Sequence, residues 1–288
     1  MNSKTLKTTS YIYLLLVPFI VSGLGFGVGH VSYKLYLPIW ILNVILMTMA
    51  AWFIGLNVIL LKNKDQSNLA KASFFLIAPW ILISMFAGLG PPPETAAEWT
   101  ATAKEQQVRY FMLVICGVFI AFGFVGLRDR LKTKGEDFYS QLGLTAVLIA
   151  IPLFIINMLY WGFYLSEFFK IQPAVIITNF PTNFPEWFLP TNQLFGLISV
   201  TEVALTYFAT FAIVLAMKKV GWLSNTSSFF YILFSLLAFA VIILAAFFTE
   251  TFKAGFAVAI PAFPFLMPYF IGVNLLRKVG NNKLGNVL

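Results

Sequence analysis

PTNQLFGLISVTEVALTYFATFAIVLAM, residues 190–217, contains one charged side chain, Glu202, in an otherwise apolar and hydroxylated run. A helix rises 1.5 Å per residue, so this stretch exceeds the roughly 20 residues needed to cross about 30 Å of hydrocarbon. It reads as a membrane span with a carboxyl near its centre.

The rest of the chain puts it in the same class. Residues are 60% hydrophobic and 10% charged, against about 25% charged and under half apolar in soluble domains. Too little polar surface remains to coat a water-facing globule. Span-length apolar runs occur at about 11–33, 37–61, 72–90, 108–127, 141–168, 190–217, 227–249 and 256–276. Lys4 and Lys7 precede the first run as they would in a secretory signal. That run passes no A-x-A-type cleavage site and seven more follow, so it is expected to be a retained helix. The expected fold is an all-α polytopic membrane protein, with eight transmembrane helices in a single domain over 1–288.

Basic residues are held on the cytoplasmic side of a membrane. With the N-terminus inside, the inner segments hold 14 of the 19 basic residues, among them Lys62, Arg128, Arg130, Lys218, Arg277 and Lys283. The outer segments hold five: Lys34, Lys104, Arg109, Lys170 and Lys253. Dropping one span would invert every later loop, so the bias predicts both termini in the cytoplasm and a plasma-membrane location. The net charge of +8 follows from these topology signals lying against anionic lipid, and no nucleic-acid partner is expected. Cys116, the only cysteine, falls in the fourth span and reads as a small packing residue.

The halves 1–136 and 137–288 show matching events. "YLP" (36–38) opens the second run and "FLP" (188–190) the sixth; "LLKNK" and "AMKK" close them; "GLRDR" and "LLRKVG" end the fourth and eighth. They suggest a parallel 4+4 repeat. Any eight-helix chain with cytoplasmic basic loops would also look this way.

Charged groups at mid-membrane cost about 2.5–3.5 kcal/mol on insertion scales and usually face a cavity or a partner. Asn192, Ser199, Glu202, Thr206 and Thr210 fall on one helix face. Two readings stay open. Glu202 is either a neutral carboxyl bonded to a neighbouring helix, with Ser and Thr bonding their own backbone, or a proton, cation or substrate site in a central cavity. For the facing wall, the fifth run offers Asn157, Tyr160, Trp161 and Tyr164 at i, i+3, i+4, i+7. Ser228, Tyr231 and Ser235 repeat the pattern in the seventh; Asn43 and Asn57 suit ordinary interhelical bonds. Interfacial belts also use Tyr and Trp, so of the fifth-run set only Asn157 is clearly deep.

"SGLGFGVG" (22–29) holds two overlapping GxxxG patterns, Gly23 with Gly27 and Gly25 with Gly29, expected to bring helices close. "IPAFPFLMP" (260–268) places Pro261, Pro264 and Pro268 in one run, favouring a kink. "GPPPETAAEW" (90–99) reads as a proline stop before a short helix with Glu94 and Glu98 in its first turns, and "NFPTNFPEWFLP" (179–190) as a surface segment.

His30 is the only histidine, which excludes bis-His haem and histidine-rich metal centres. No phosphate loop, dinucleotide fingerprint or G-x-S-x-G occurs, and neither cofactor nor metal is expected. Three functions remain. The first is a transporter of a small apolar or amphipathic solute, bound by Glu202, Ser199, Thr206, Asn157, Tyr160, Trp161 and Tyr164. The second is an intramembrane enzyme on a lipid or isoprenoid with Glu202 as general acid. The third is a non-catalytic membrane component in which Glu202 fastens helices.

Overall fold

Small polar side chains start several helices by accepting from backbone N–H groups that lack a partner in the first turn. Asn63 accepts from the amides of Asp65 and Gln66, Thr95 from Glu98 and Ser224 from Ser227. The structure, a computed structural model, describes residues 3–60, 63–175, 184–248 and 252–281, with no side-chain description for Ser3, Phe252, Lys253 and Phe256. Lys62, Lys283 and residues 179–183 of the expected surface segment lie outside the described residues.

Among the described residues the chain is helical and has no strand. Helix α1 is Ser3–Gly27, α2 Tyr33–Ile54, α3 Lys64–Ile83 and α4 Phe86–Leu89. The short α5, Ala96–Ala101, leads into α6, Ala103–Thr133. Helix α7, Phe138–Leu159, passes through a π-helical turn at Tyr160–Tyr164 into α8, Leu165–Ile171. Helices α9, Leu189–Lys219, and α10, Asn225–Phe247, are followed by α11, Phe252–Ala259, and α12, Leu266–Gly280. Among the described residues, seven helical segments are long and apolar enough to cross a membrane.

The eighth run, 256–276, is not one kinked helix. Its residues divide between α11 and α12, separated by turns in which Phe263 N–H donates to Ile260 and Leu266 N–H to Phe263. Pro261 and Pro264 each lack the N–H a helix would use, and each ring crowds the carbonyl four residues back. Pro268 falls in the first turn of α12, where that loss is harmless. The second run also stops early. Helix α2 ends at Ile54, and the residue after it must be glycine for α12 to approach, since a Cβ at Gly55 would sit 2.1 Å from the Leu276 carbonyl oxygen. Past it, Asn57 is exposed in a 3₁₀ turn, so it joins no helices, whereas Asn43 accepts from Tyr13 on α1.

Helix α3 packs between α6 and α12; α6 meets α7, α7 meets α9, and α9 meets α10. Gly143 lets α7 and α9 approach, since a Cβ there would lie 3.0 Å from the Ala209 carbonyl. The GxxxG patterns of α1 work differently from the expectation. A Cβ built at Gly23 or Gly27 would meet nothing within 4 Å among the described residues, whereas one at Gly25 would lie 3.0 Å from the Phe86 carbonyl oxygen. Helices α1, α2 and α10 present large apolar side chains outward, including Phe19, Ile39, Leu42, Phe229 and Leu237.

Expected inner loops gather at one end. Lys7 Nζ donates to the Gly280 carbonyl at 2.8 Å and Lys278 Nζ to Trp222 at 2.7 Å; Arg128 pairs with Asp137, Arg130 with Asp65, and Lys219 lies over the Tyr139 ring. At the other end, His30 meets Glu105 at 2.8 Å, Ala96 N–H bonds Val175 and Trp99 Nε1 donates to Ser166 Oγ at 3.0 Å.

Candidate functional site

Glu202 sits 13 residues past Leu189 and 17 before Lys219, the ends of α9, so its helix carries it to mid-depth. Its side chain is 3% exposed and Oε1 accepts from Asn157 Nδ2 on α7 at 2.9 Å. Asn157 is 2% exposed. Their other oxygens, Glu202 Oε2 and Asn157 Oδ1, are buried with no donor among the described residues. With an ionised carboxylate, the pair has more acceptors than donors. A proton on Glu202 Oε2, or donors from a bound molecule, would reduce the shortage.

The rest of the α9 stripe points the same way but bonds elsewhere. Thr206 Oγ1 donates to the Glu202 carbonyl at 2.8 Å and Thr210 Oγ1 to the Thr206 carbonyl at 2.9 Å. These i−4 bonds satisfy the hydroxyls within α9, so Glu202 alone of the three reaches another helix. Ser199, one turn away, is half-buried.

The fifth-run wall is divided. Residues 160–164 form a π turn, which carries one more residue per hydrogen-bonded ring than an α turn and so shifts the faces beyond it. Tyr160 stays with the Asn157 side. Its ring is stacked 3.7 Å from Phe195 of α9, and its hydroxyl is buried with no partner among the described residues. Trp161 turns to α5 and α6, with ring centroids 6.1 Å from Trp99 and 6.4 Å from Tyr110. Tyr164 is half-exposed and stacks on Tyr160 and Phe188. Of this set, Asn157 bonds Glu202, Tyr160 meets α9 at Phe195, and Trp161 and Tyr164 face other neighbours.

The broken segment reaches this level. Phe265, just before α12, packs edge-on against Phe154 at 5.1 Å, one helical turn from Asn157. Tyr207 Oη donates to the Val258 carbonyl of α11 at 3.0 Å. Two clefts, of about 220 and about 20 Å3, open at the basic end, and neither is lined by Glu202.

Several buried polar groups escaped the sequence reading. Arg109 is 4% exposed; its Nη2 donates to the Leu89 carbonyl at 3.0 Å and its guanidinium lies over Phe86, so it is not a loop residue. Trp99 is fully buried above the α8 hydroxyl of Ser166. Asn274 joins α12 to Tyr11 and Tyr231. The hydrogen bonds span 20 to 263 residues, beyond the reach of single-helix periodicity. Glu94 precedes α5 rather than sitting in its first turn, which holds Glu98.

Together these features define a multi-pass, membrane-type helical protein with a polar pair at its core. No protein-family model matches the chain, and no curated protein or solved structure matches it either.

Proposed function

We propose that the protein is a plasma-membrane transporter for a small apolar or amphipathic solute, with both termini cytoplasmic, in which Glu202 binds the coupling proton or contacts the solute. The eighth crossing is made in two pieces by α11 and α12. The single observation that carries this reading is the donor shortage at Glu202 and Asn157. A buried acceptor without a partner costs about 1–3 kcal/mol, whereas an interhelical bond in a membrane contributes about 0.6 kcal/mol on average. An ionised pair is therefore a poor fastener, and it is relieved by the ligands a transporter handles. Proximity to a broken helix supports the reading, because discontinuous helices form transporter sites near the midplane.

The fastening reading is favoured by the bond between α7 and α9 and by the distance of both clefts from Glu202. The test is proton flux in proteoliposomes loaded with a pH-sensitive dye, challenged with apolar and amphipathic solutes. Solute entry should carry protons in the wild type and in Glu186→Gln, at an exposed site, and not in Glu202→Gln. Entry without protons, equal in wild type and Glu202→Gln, or entry of no solute at all, leaves Glu202 as a fastener.

A further inference from the structure

The 220 Å3 cleft lies where α10 begins and α12 ends, lined by Ser224, Ser227, Asn274, Arg277, Lys278 and Asn281 beside Leu223. Six of these are polar, two are cationic and none is acidic. Its polar wall is fixed from both sides. Tyr11 Oη donates to Asn274 Oδ1 at 2.8 Å, and Asn274 Nδ2 donates to Tyr231 Oη.

The charges are held in place as well. Arg277 lies 4.0 Å over the Tyr11 ring and, among the described residues, forms no ion pair. Lys278 is anchored to the Trp222 carbonyl. The carbonyl end of α12, which would repel an anion, is covered by Lys7 on Gly280, while α10 presents its amide end. In the same first turns of α10, Ser228 Oγ is fully buried and has no partner among the described residues.

We infer that this cleft binds the phosphate of an anionic lipid headgroup. Its volume is below the about 300–1,000 Å3 of sites that enclose a whole drug-sized molecule, which suits a headgroup whose tails remain outside. Phe229 and Phe230, next along α10, are 60% and 61% exposed and give acyl chains an apolar surface. Basic pockets between helices at the cytoplasmic face recognise such headgroups. The inference is independent of Glu202.

The test is titration of the purified full chain in detergent with short-chain phosphatidylglycerol, phosphatidylcholine of equal chain length, and inorganic phosphate, read by native mass spectrometry and thermal shift. Phosphatidylglycerol should bind saturably and most tightly. Arg277→Gln should weaken it about fivefold, the worth of one cation near a membrane surface. Arg277→Lys should retain most of the affinity. Lys132→Gln, which removes the same charge from an exposed position outside the cleft, should leave it unchanged.

Equal weakening by Arg277→Gln and Lys132→Gln means diffuse attraction and overturns the site. So does equal binding of phosphatidylcholine. Inorganic phosphate binding as tightly as the lipid would assign the cleft to a soluble phosphate ligand and overturn the lipid assignment. Melting of each unliganded variant separates lost binding from lost folding. Should Arg277→Gln not fold, Ser227→Glu puts a carboxylate in the cleft at a helix position that suits Glu. It must abolish lipid binding, and retained binding overturns the site.

Discussion

Asn157 Nδ2 on α7 donates to Glu202 Oε1 on α9 at 2.9 Å, and the remaining oxygen of each side chain has no donor among the described residues. The two residues are thus bound to one another, with two acceptor oxygens left over. Under the proposed function, a proton or a bound ligand relieves that shortage.

Removing one partner should cost more than removing both. Glu202→Leu strands the whole Asn157 amide in an apolar core, for a loss of about 1–3 kcal/mol. Adding Asn157→Leu should return most of that loss, because no buried polar group is then left unpaired. Thermal unfolding of the wild type, both single variants and the double variant measures the coupling. Strictly additive losses would mean that the two side chains do not act as a pair.

Glycines of equal standing in the sequence should respond oppositely to alanine. At Gly272 a Cβ would lie 2.6 Å from the Ser73 carbonyl oxygen and 3.0 Å from Leu76 Cβ, so Gly272→Ala must push α12 off α3. The expected loss is about 1–3 kcal/mol, typical of overpacking. A Cβ at Gly23 would meet nothing within 4 Å among the described residues. Gly23→Ala there should be neutral or stabilising by up to about 1 kcal/mol through helix propensity. Melting temperatures of the two variants decide it.

Trp99 should prove an anchor of the end opposite the basic loops. Trp99→Phe keeps an aromatic ring near Tyr110, Trp161 and Phe169 but loses the donor to Ser166. One hydrogen bond of about 0.5–1.5 kcal/mol is at stake. Trp99→Ala also empties the ring's volume, at about 3–5 kcal/mol. Calorimetry that finds the two variants equal would assign the anchoring to the hydrogen bond alone.

Labelling should find the two ends of the bundle on opposite sides of the membrane. Cys116 is fully buried, so Cys116→Ala gives a silent background. In it, Ser224→Cys should react with an impermeant maleimide only after the membrane is opened, and His30→Cys should react in intact cells. The reverse pattern would place the basic end outside and refute the proposed orientation.

Composition and the spacing of apolar runs were enough to identify helices of membrane-spanning length, because each depends on its own residues and on length alone. The stripe from Ser199 to Thr210 was likewise visible, since helical periodicity is local. So was Glu202, a lone carboxylate in an apolar run. Its partner was legible only as one candidate among several polar residues of the fifth run. The tertiary structure bonded Asn157 to Glu202, set Tyr160 against Phe195 and turned Trp161 toward α5 and α6, because a π turn changes the register that α-periodicity assumes. It also decided that the proline-rich eighth run breaks outright, that α2 ends where Gly55 meets the α12 backbone, and that Gly25 rather than Gly23 and Gly27 meets a neighbour. Those outcomes depend on which helix lies opposite, and the cleft built by Tyr11, Ser227, Asn274 and Arg277 depends on residues up to 266 positions apart. A single helix cannot encode its neighbour's surface; only the packed bundle determines it.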